Sequence, residues 1–438
     1  MSEDSSGLSG PAIPGVRTLL DAFCTAVTAA SPRHCLTAAH LPEGAALVLG
    51  VGKAAASMAV AVNEHRRGAL RGLVVTRYGH GLESSESSGQ IETLEAGHPL
   101  PDEASAAAGE RLLQLARSVG PSEVLLFLAS GGGSALSVAP LGPVTLEQKC
   151  RMTEYLMRCG ANIRDINCVR RHLSAIKGGR LARAAHPATV VTLAISDVPG
   201  DALGDIASGP TIPDPTTGAE ALEILTRHEY PDRDELAAVL TDARYESPKP
   251  GDPAFAMDRT KIIASAKTAL DAAQVEIEAS GIIVHRLGEH FTDVAHELGR
   301  EHAELARSFA DSPEPVALLS GGETRVRVTG TGGHGGRNLE YLAGLALGLD
   351  GHERIVALAA DTDGIDGNAD HAGGIVVPEV LSSGRGVGAD LHELLAKNDT
   401  YRFFQACKLL VETGPTRTNV NDFRLILINP LAEKPSHG

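Results

Sequence analysis

The sequence predicts two α/β domains with mainly parallel sheets, and three observations carry that prediction. From residue 17 onward, apolar runs of strand length alternate with amphipathic helical stretches. A polar segment with three prolines, RYESPKPGDPAF (244–255), interrupts the alternation, which then restarts. At 438 residues the chain also exceeds what one ordinary core takes up. The expected division is a first domain over 1–245 and a second over 256–438.

In the first half the strands read as 46–51, 72–76, 123–129 and 188–195, each an apolar run with β-branched or leucine residues. Helices are expected at 17–30, 53–65, 102–118, 145–159, 166–175 and 218–243, the last broken at Pro231 because proline removes a helical N–H. After the linker come strand TKIIAS, a helix through 280, strand IIVHRL, a helix over 292–309, strand VALLS (316–320), a short strand TRVRVT, a helix over 337–348, and strands RIVALAA and FRLILI (423–428). Both halves end a strand in glycines, LASGGGSAL and LLSGGETRV. Ligand sites of open α/β sheets lie beyond the carboxyl ends of strands, so two such ends facing each other would form an interdomain cleft.

A net charge of −16 with no basic block argues against nucleic acid and anionic membranes as partners. Tryptophan is absent and aromatics are 3% of the chain, which removes base-stacking platforms. The six cysteines show no C-x-x-C spacing and read as reduced structural thiols. No signal-peptide pattern opens the chain and no apolar run reaches the roughly 20 residues of a membrane span, so a cytoplasmic protein is expected.

Seven stretches carry chemistry. LVLGVGKAAASMA (47–59) is a strand, a glycine turn and a helix; it meets the loose dinucleotide fingerprint, but Arg77 and Tyr78 follow the next strand where a nicotinamide site wants Asp or Glu. What survives is Lys53 at a helix start, suited to a carboxylate or phosphate. In ASGGGSAL, Ser130, Gly131, Gly132, Gly133 and Ser134 offer backbone N–H groups to phosphate, as do Gly321, Gly322 and Glu323 in SGGET. NCVRRHLSAIKGGRLA (167–182) gathers Arg170, Arg171, His172, Lys177 and Arg180 as a polyanion clamp, with a solvated helix face as the plainer alternative.

SDVPGDALGDIASGPTIPDPTT (196–217) is a rigid proline-rich loop in which Asp197 stands at a strand end, the place of a general base, while Asp201, Asp205 and Asp214 read as turn or cap residues. TGTGGHGGRNLEYLA (329–343) is a glycine arm leading to Arg337, which suits a transferring phosphoryl group. AADTDGIDGNADHAGG (359–374) follows a strand and supplies Asp361, Asp363 and Asp366 as magnesium ligands shared with nucleotide phosphates. Glycine loops, cations at helix starts and carboxylates at strand ends are the inventory of phosphoryl transfer.

These motifs, in this order, resemble the glycerate 2-kinase family with its C-terminal MOFRL domain, some of whose members carry hydroxypyruvate reductase labels. The resemblance runs from about residue 17 to 430 and rests on GVGKAA (50–55), GHPLPDEAS (97–105), ASGGGSAL (129–136), NCVRRHLSAIKGGRLA, SDVPGD with IASGPT, SGGET (320–324), GGRNLE (335–340), DTDGIDG (361–367) and TGPTRTNVND (413–422). It implies a Rossmann-like N-terminal domain and a smaller C-terminal one. It further implies ATP-dependent phosphorylation of the 2-hydroxyl of D-glycerate with a divalent cation, Mg²⁺, and it places the family's lysine and arginine on Lys53 and Arg337. Leu339, Arg417 and His334 depart from the family's usual Gln, Gly and Arg.

The expected function is thus a cytoplasmic glycerate 2-kinase, monomer or homodimer, acting on a small molecule. Lys53 and Arg337 neutralise carboxylate and phosphoryl charge, and Asp197 orients the 2-hydroxyl. An NAD(P)H-dependent hydroxypyruvate reductase and a non-catalytic binder of phosphorylated sugar acids are the alternatives.

Overall fold

The computed structural model describes residues 8, 10–66, 70–83, 85–329, 333–367 and 370–430. Most of the opening MSEDSSGLS, Gly330–Gly332 of the glycine arm, and Asn368 and Ala369 of the acidic loop lie outside the described residues. The α/β class and the two domains hold, but the division does not fall in the 244–255 segment. One compact unit spans Pro32–Ile263; the other joins the stretch before it to Ala264 and the rest of the chain. The reason is packing. The segment read as a linker is tied into the first unit, where Glu246 meets His172 at 3.0 Å, Arg183 pairs with Asp252, and Asp258 accepts from Val190 N–H at 2.8 Å. The opening helix Val16–Ala30 instead buries Leu19, Leu20, Phe23 and Ala26 in the second unit, with Phe23 against Phe423.

The first unit carries β1 (Ala45–Val51), β2 (Arg71–Arg77), β3 (Gln90–Ala96), β4 (Val124–Ala129), β5 (Thr189–Ile195) and β6 (Arg259–Ala264) in the spatial order β3-β2-β1-β4-β5-β6. The pairings from β3 through β5 are parallel. This is the doubly wound Rossmann order, and its direction of winding reverses between β1 and β4. β3 escaped the sequence reading because it lies at the sheet's edge and alternates with charged residues, leaving no continuous apolar run. Helix starts were legible: Asp102, Thr145 and Thr217 each accept a hydrogen bond from the backbone N–H three residues on.

The second unit carries β7 (Ile283–Phe291), β8 (Val316–Gly322), β9 (Ile355–Asp361), β10 (Gly373–Val376), β11 (Leu410–Val411) and β12 (Asp422–Ile428), ordered β11-β10-β9-β12-β8-β7. This sheet is mixed. β7 and β8 pair in parallel, whereas β12 runs antiparallel to both β8 and β9, and β10 antiparallel to β9 and β11. Hydrophobic pattern does not encode strand direction, so the reversal of β12 was invisible in FRLILI. It has a large consequence: the start of β12 lies at the carboxyl ends of β8 and β9, with Asp422 opposite both Gly322 and Asp361. TRVRVT forms no strand; Arg325 makes an isolated bridge with Val294. No helix among the described residues is long and apolar enough to cross a membrane.

Phe23 is 1% exposed, and truncating a buried phenylalanine costs about 3–5 kcal/mol. Phe23→Ala should therefore destabilise the unit holding 264–430 by that amount and leave the unfolding of the 32–263 unit unchanged. Denaturant unfolding followed by hydrogen exchange on both units checks this; equal loss in the two would refute the assignment of the opening helix.

Candidate functional site

In the first unit, the winding reversal brings two turns together, one after β1 and one after β4. Gly52 (φ +128°) is a glycine because a Cβ there would lie 2.1 Å from Ser130 Oγ. The turn's own N–H groups are engaged: Gly52 donates to Val75 O at 3.0 Å, Lys53 to Gly131 O at 2.8 Å and Ala54 to Ser130 Oγ at 3.0 Å. Thr76 Oγ1 donates to Lys53 O at 3.2 Å. The turn is thereby fixed to β2 and β4, and the half-buried Lys53 side chain runs beside Gly132.

The turn after β4 is the converse. Among the described residues, the N–H groups of Gly131, Gly132, Gly133 and Ser134 have no acceptor, four consecutive donors at the carboxyl end of a central strand. Gly132 (φ +79°) passes the Lys53 stem and the His98 imidazole, whose ring atoms lie 3.1 Å from where a Cβ would stand. Gly133 makes room for Ala207, whose Cβ would be 2.7 Å from its own. Ala207 (φ 53°) and Ser208 (φ 58°) hold left-handed backbone, a strain of order 1–3 kcal/mol each that the surroundings must offset. They are held by a chain of hydrogen bonds: Ser134 to Ser208 (2.7 Å), Ser208 to Asn167 (3.1 Å), Asn167 to Asp205 (3.1 Å) and Arg171 to Asp205 (3.2 Å).

The cationic clamp expected over 170–180 is dispersed. Arg171 pairs with Asp205 and Asp214, His172 lies between Cys168 O and Glu246, and Arg180 donates to Tyr245 O. Lys177 is 1% exposed, with Nζ on Ser137 O at 3.0 Å; burial, together with Lys149 and Arg170, pushes its pKa well below the usual range. Its Nζ is committed to the carbonyl that follows the short helix Gly133–Leu136. Asp197 is half-buried, two residues beyond the end of β5.

In the second unit the reversed β12 builds a different constellation. Arg337, first residue of the helix Arg337–Leu349, donates through Nε to Asp422 Oδ1 (2.7 Å) and through Nη2 to Asp361 Oδ2 (2.6 Å), with Glu323 3.4 Å from Nη1. Asp422 also accepts from Asn338 Nδ2 (2.9 Å), Thr324 N–H (3.3 Å) and Arg424 Nη2 (2.5 Å). Burial opposes the Arg337 charge, but Asp422, Asp361 and Glu323 outweigh it and hold its pKa well above the ordinary range. Burial likewise opposes ionisation of Asp422, and Arg337 and Arg424 reverse that, holding its pKa low. Arg337 is thus a fixed cation, 22% exposed.

Two groups of sequence expectations change here. Gly321 and Gly322 end β8 as buried strand residues between β12 and β7; glycine is needed at 322 (φ +120°) because the Phe291 backbone passes 2.4 Å from a Cβ there. Glu323 faces Arg337, not an anion. The three aspartates expected to bind magnesium have separate duties. Asp361 holds Arg337 and the Asp363 N–H, Asp363 accepts from Ile365 N–H, and Asp366 caps the helix at Arg337 by accepting from the N–H groups of Asn338 (3.1 Å) and Leu339 (3.0 Å). Among the described residues no group of three His, Cys, Asp or Glu side chains could hold a metal ion. His98, Asn338 and Asp422 were missed as site residues. Each stood inside a quoted motif, but their neighbours are set by contacts across the fold.

Two family models match the chain. A family model described as "Domain of unknown function (DUF4147)" matches residues 18–241 and the MOFRL family model matches 316–422. The chain is 45% identical over 415 residues to an Agrobacterium vitis protein provisionally named a hydroxypyruvate reductase, covering 93% of each. It is 38% identical over 387 residues to the D-glycerate 2-kinase of Thermotoga maritima, covering 87% of this chain and 90% of that one. Among solved structures, a Thermotoga maritima glycerate kinase superimposes with TM-score 0.83 at 35% identity, covering 94% of this chain and 99% of that one.

Burial pushes the Asp366 carboxyl up to about 6. The folded carboxyl then holds its proton more tightly than the unfolded one, so its contribution to stability is full below about pH 4 and is lost as pH rises through about 6. Thermal unfolding should show stability falling across that window in the natural protein, and Asp366→Asn should flatten that fall. The same slope in both proteins would contradict the assignment. Asp422 acts with the opposite sign, its contribution disappearing only as the pH drops below the usual carboxylate range.

Proposed function

The chain belongs to the glycerate 2-kinase family, and on that premise we propose that it transfers a phosphoryl group from ATP to the 2-hydroxyl of D-glycerate, giving 2-phosphoglycerate and ADP. The observation that supports phosphoryl chemistry most directly is the set of four consecutive N–H donors, Gly131–Ser134, beside the Lys53 side chain. Such N–H groups donate to phosphate oxygens without reorganising, and in phosphoryl transfer positioning and charge neutralisation do most of the catalysis.

In this reading the 131–134 donors hold phosphate oxygens and Lys53 offsets the charge that builds up on transfer. His98, against the same turn, positions the acceptor. Asp197 takes the role of base for the 2-hydroxyl. Arg337 supplies a cation whose orientation Asp361 and Asp422 fix before substrate arrives. A divalent cation accompanies nucleotide phosphates in kinases. Asp361, Asp363 and Asp366 do not fit a dedicated metal centre, each being committed to backbone or guanidinium donors.

The reductase reading rests on names of relatives. Gly52, the glycine that would let a pyrophosphate approach, is required by Ser130, and β2 ends in Arg77 where a nicotinamide ribose wants a carboxylate.

Incubation with D-glycerate, ATP and Mg²⁺, coupled through enolase without phosphoglycerate mutase, should yield a signal because enolase acts on 2-phosphoglycerate. ADP formation without that signal would move the phosphate to the 3-position. Lys53→Ala should lower kcat by roughly 10³, the scale of cations that stabilise transferring phosphoryl groups. A rise confined to KM would reduce Lys53 to ground-state binding.

A further inference from the structure

Away from the phosphate chemistry, the surface of the first unit brings a thiol, an imidazole and a carboxylate into line. Cys159 alone among the six cysteines is exposed; burial pushes the other five thiols up, that of Cys35 to about 12. It closes the helix Leu146–Arg158, where its Sγ donates to Leu156 O at 3.3 Å and lies 3.7 Å from His228 Nδ1. His228 Nε2, on the other side of the ring, is 3.2 Å from Asp165 Oδ2. The carboxylate makes Nε2 the N–H donor and leaves Nδ1 with a lone pair turned to the sulfur.

Packing holds each member in place. Tyr155 stands one turn before Cys159 on the same helix face, and its hydroxyl donates to His228 O and Glu229 O, both at 3.0 Å. Its ring meets that of the buried Tyr230 at 5.3 Å, so the segment after the helix Gly218–Arg227 is seated on the helix that carries the thiol. Asp165 lies in the first turn of the helix Ile163–His172; Asn162 Nδ2 at 3.0 Å and Arg227 Nη2 at 2.7 Å donate to the same Oδ2 that faces the ring. The His228 and Asp165 side chains are 21% and 16% exposed, so the pair is shielded while the sulfur stays within reach of solvent. A nucleophile with a base in reach, and a third group orienting that base, is the arrangement of thiol catalysis. Leu156 O holds the resting S–H, and Nδ1 offers the proton a second acceptor when the sulfur begins to bond.

We propose that Cys159 is a site of thiol–disulfide exchange with low-molecular-weight disulfides, with His228 as its base and Asp165 as the positioning residue. The Cys159 sulfur attacks one sulfur of the small disulfide while its proton passes to His228 Nδ1. The S–S bond of the reagent breaks, a mixed disulfide forms on Cys159, and the released thiolate takes the proton back from Nδ1. One S–S bond is lost and one is made, so the small disulfide is the sole oxidant. All six thiols are free, and the second sulfur therefore comes from solution. The site is independent of the kinase reading.

The full-length protein is incubated with 2-hydroxyethyl disulfide, an uncharged reagent, and mixed disulfide at each cysteine is followed by peptide mass spectrometry from about pH 6 to about pH 9. In the natural protein the rate at Cys159 should exceed that at the other five and change by less than about threefold between about pH 7 and about pH 8, because transfer to a neutral imidazole does not depend on hydroxide. In His228→Gln the rate at about pH 7 should fall by roughly tenfold or more and then climb about tenfold per pH unit, as for a thiol that reacts only through its free thiolate. Cys159→Ser should abolish the fast-reacting site. A tenfold climb per pH unit in the natural protein, an unchanged rate in folded His228→Gln, or labelling of the buried cysteines ahead of Cys159 overturns the proposal and leaves Cys159 a thiol that only caps its helix.

Discussion

A buried carboxylate at the start of the reversed last strand organises the second unit. Asp422 accepts from Arg337, Asn338, Arg424 and the Thr324 N–H, and so joins β8, β12 and the helix that begins at Arg337. Removing one partner of such a buried set leaves the others charged and unpaired, a loss of about 3–5 kcal/mol. The same contacts aim Arg337. The orientation of Arg337 and structural stability therefore depend on one side chain.

The first unit solves the complementary problem with backbone. Its turns after β1 and β4 approach so closely that Gly52 and Gly133 are dictated by Ser130 and Ala207. Among the described residues the 131–134 N–H groups meet no acceptor, and the Ser134–Ser208–Asn167–Asp205–Arg171 chain keeps the strained 207–208 backbone in place.

Legibility followed the range of the interactions. The position of Lys53 and of the 130–134 turn just beyond strand ends could be read because strand, glycine turn and helix start are local in sequence. Arg337 was legible for the same reason, as the first residue of a helix after glycines. Lys177 reads differently in the fold because a cation near glycines looks alike whether it faces solvent or is buried on a backbone carbonyl. Gly321 and Gly322 were misread because a glycine pair at a strand end resembles a loop until the neighbouring Phe291 backbone is seen. The aspartates of DTDGID have the spacing of ligands, yet each is claimed by a donor distant in sequence or by its own turn.

By itself the sequence determined the α/β class, the positions of most helices and central strands, the family, and the two cations at helix starts, since all of these are written in short-range periodicity and local motifs. The tertiary structure alone decided where the domains divide, that the opening helix packs with the second unit, that β12 runs against β8 and β9, and which acidic groups meet Arg337. Those outcomes depend on the direction in which a strand returns and on which buried donor finds which carboxylate, and neither is encoded in the pattern of any one segment.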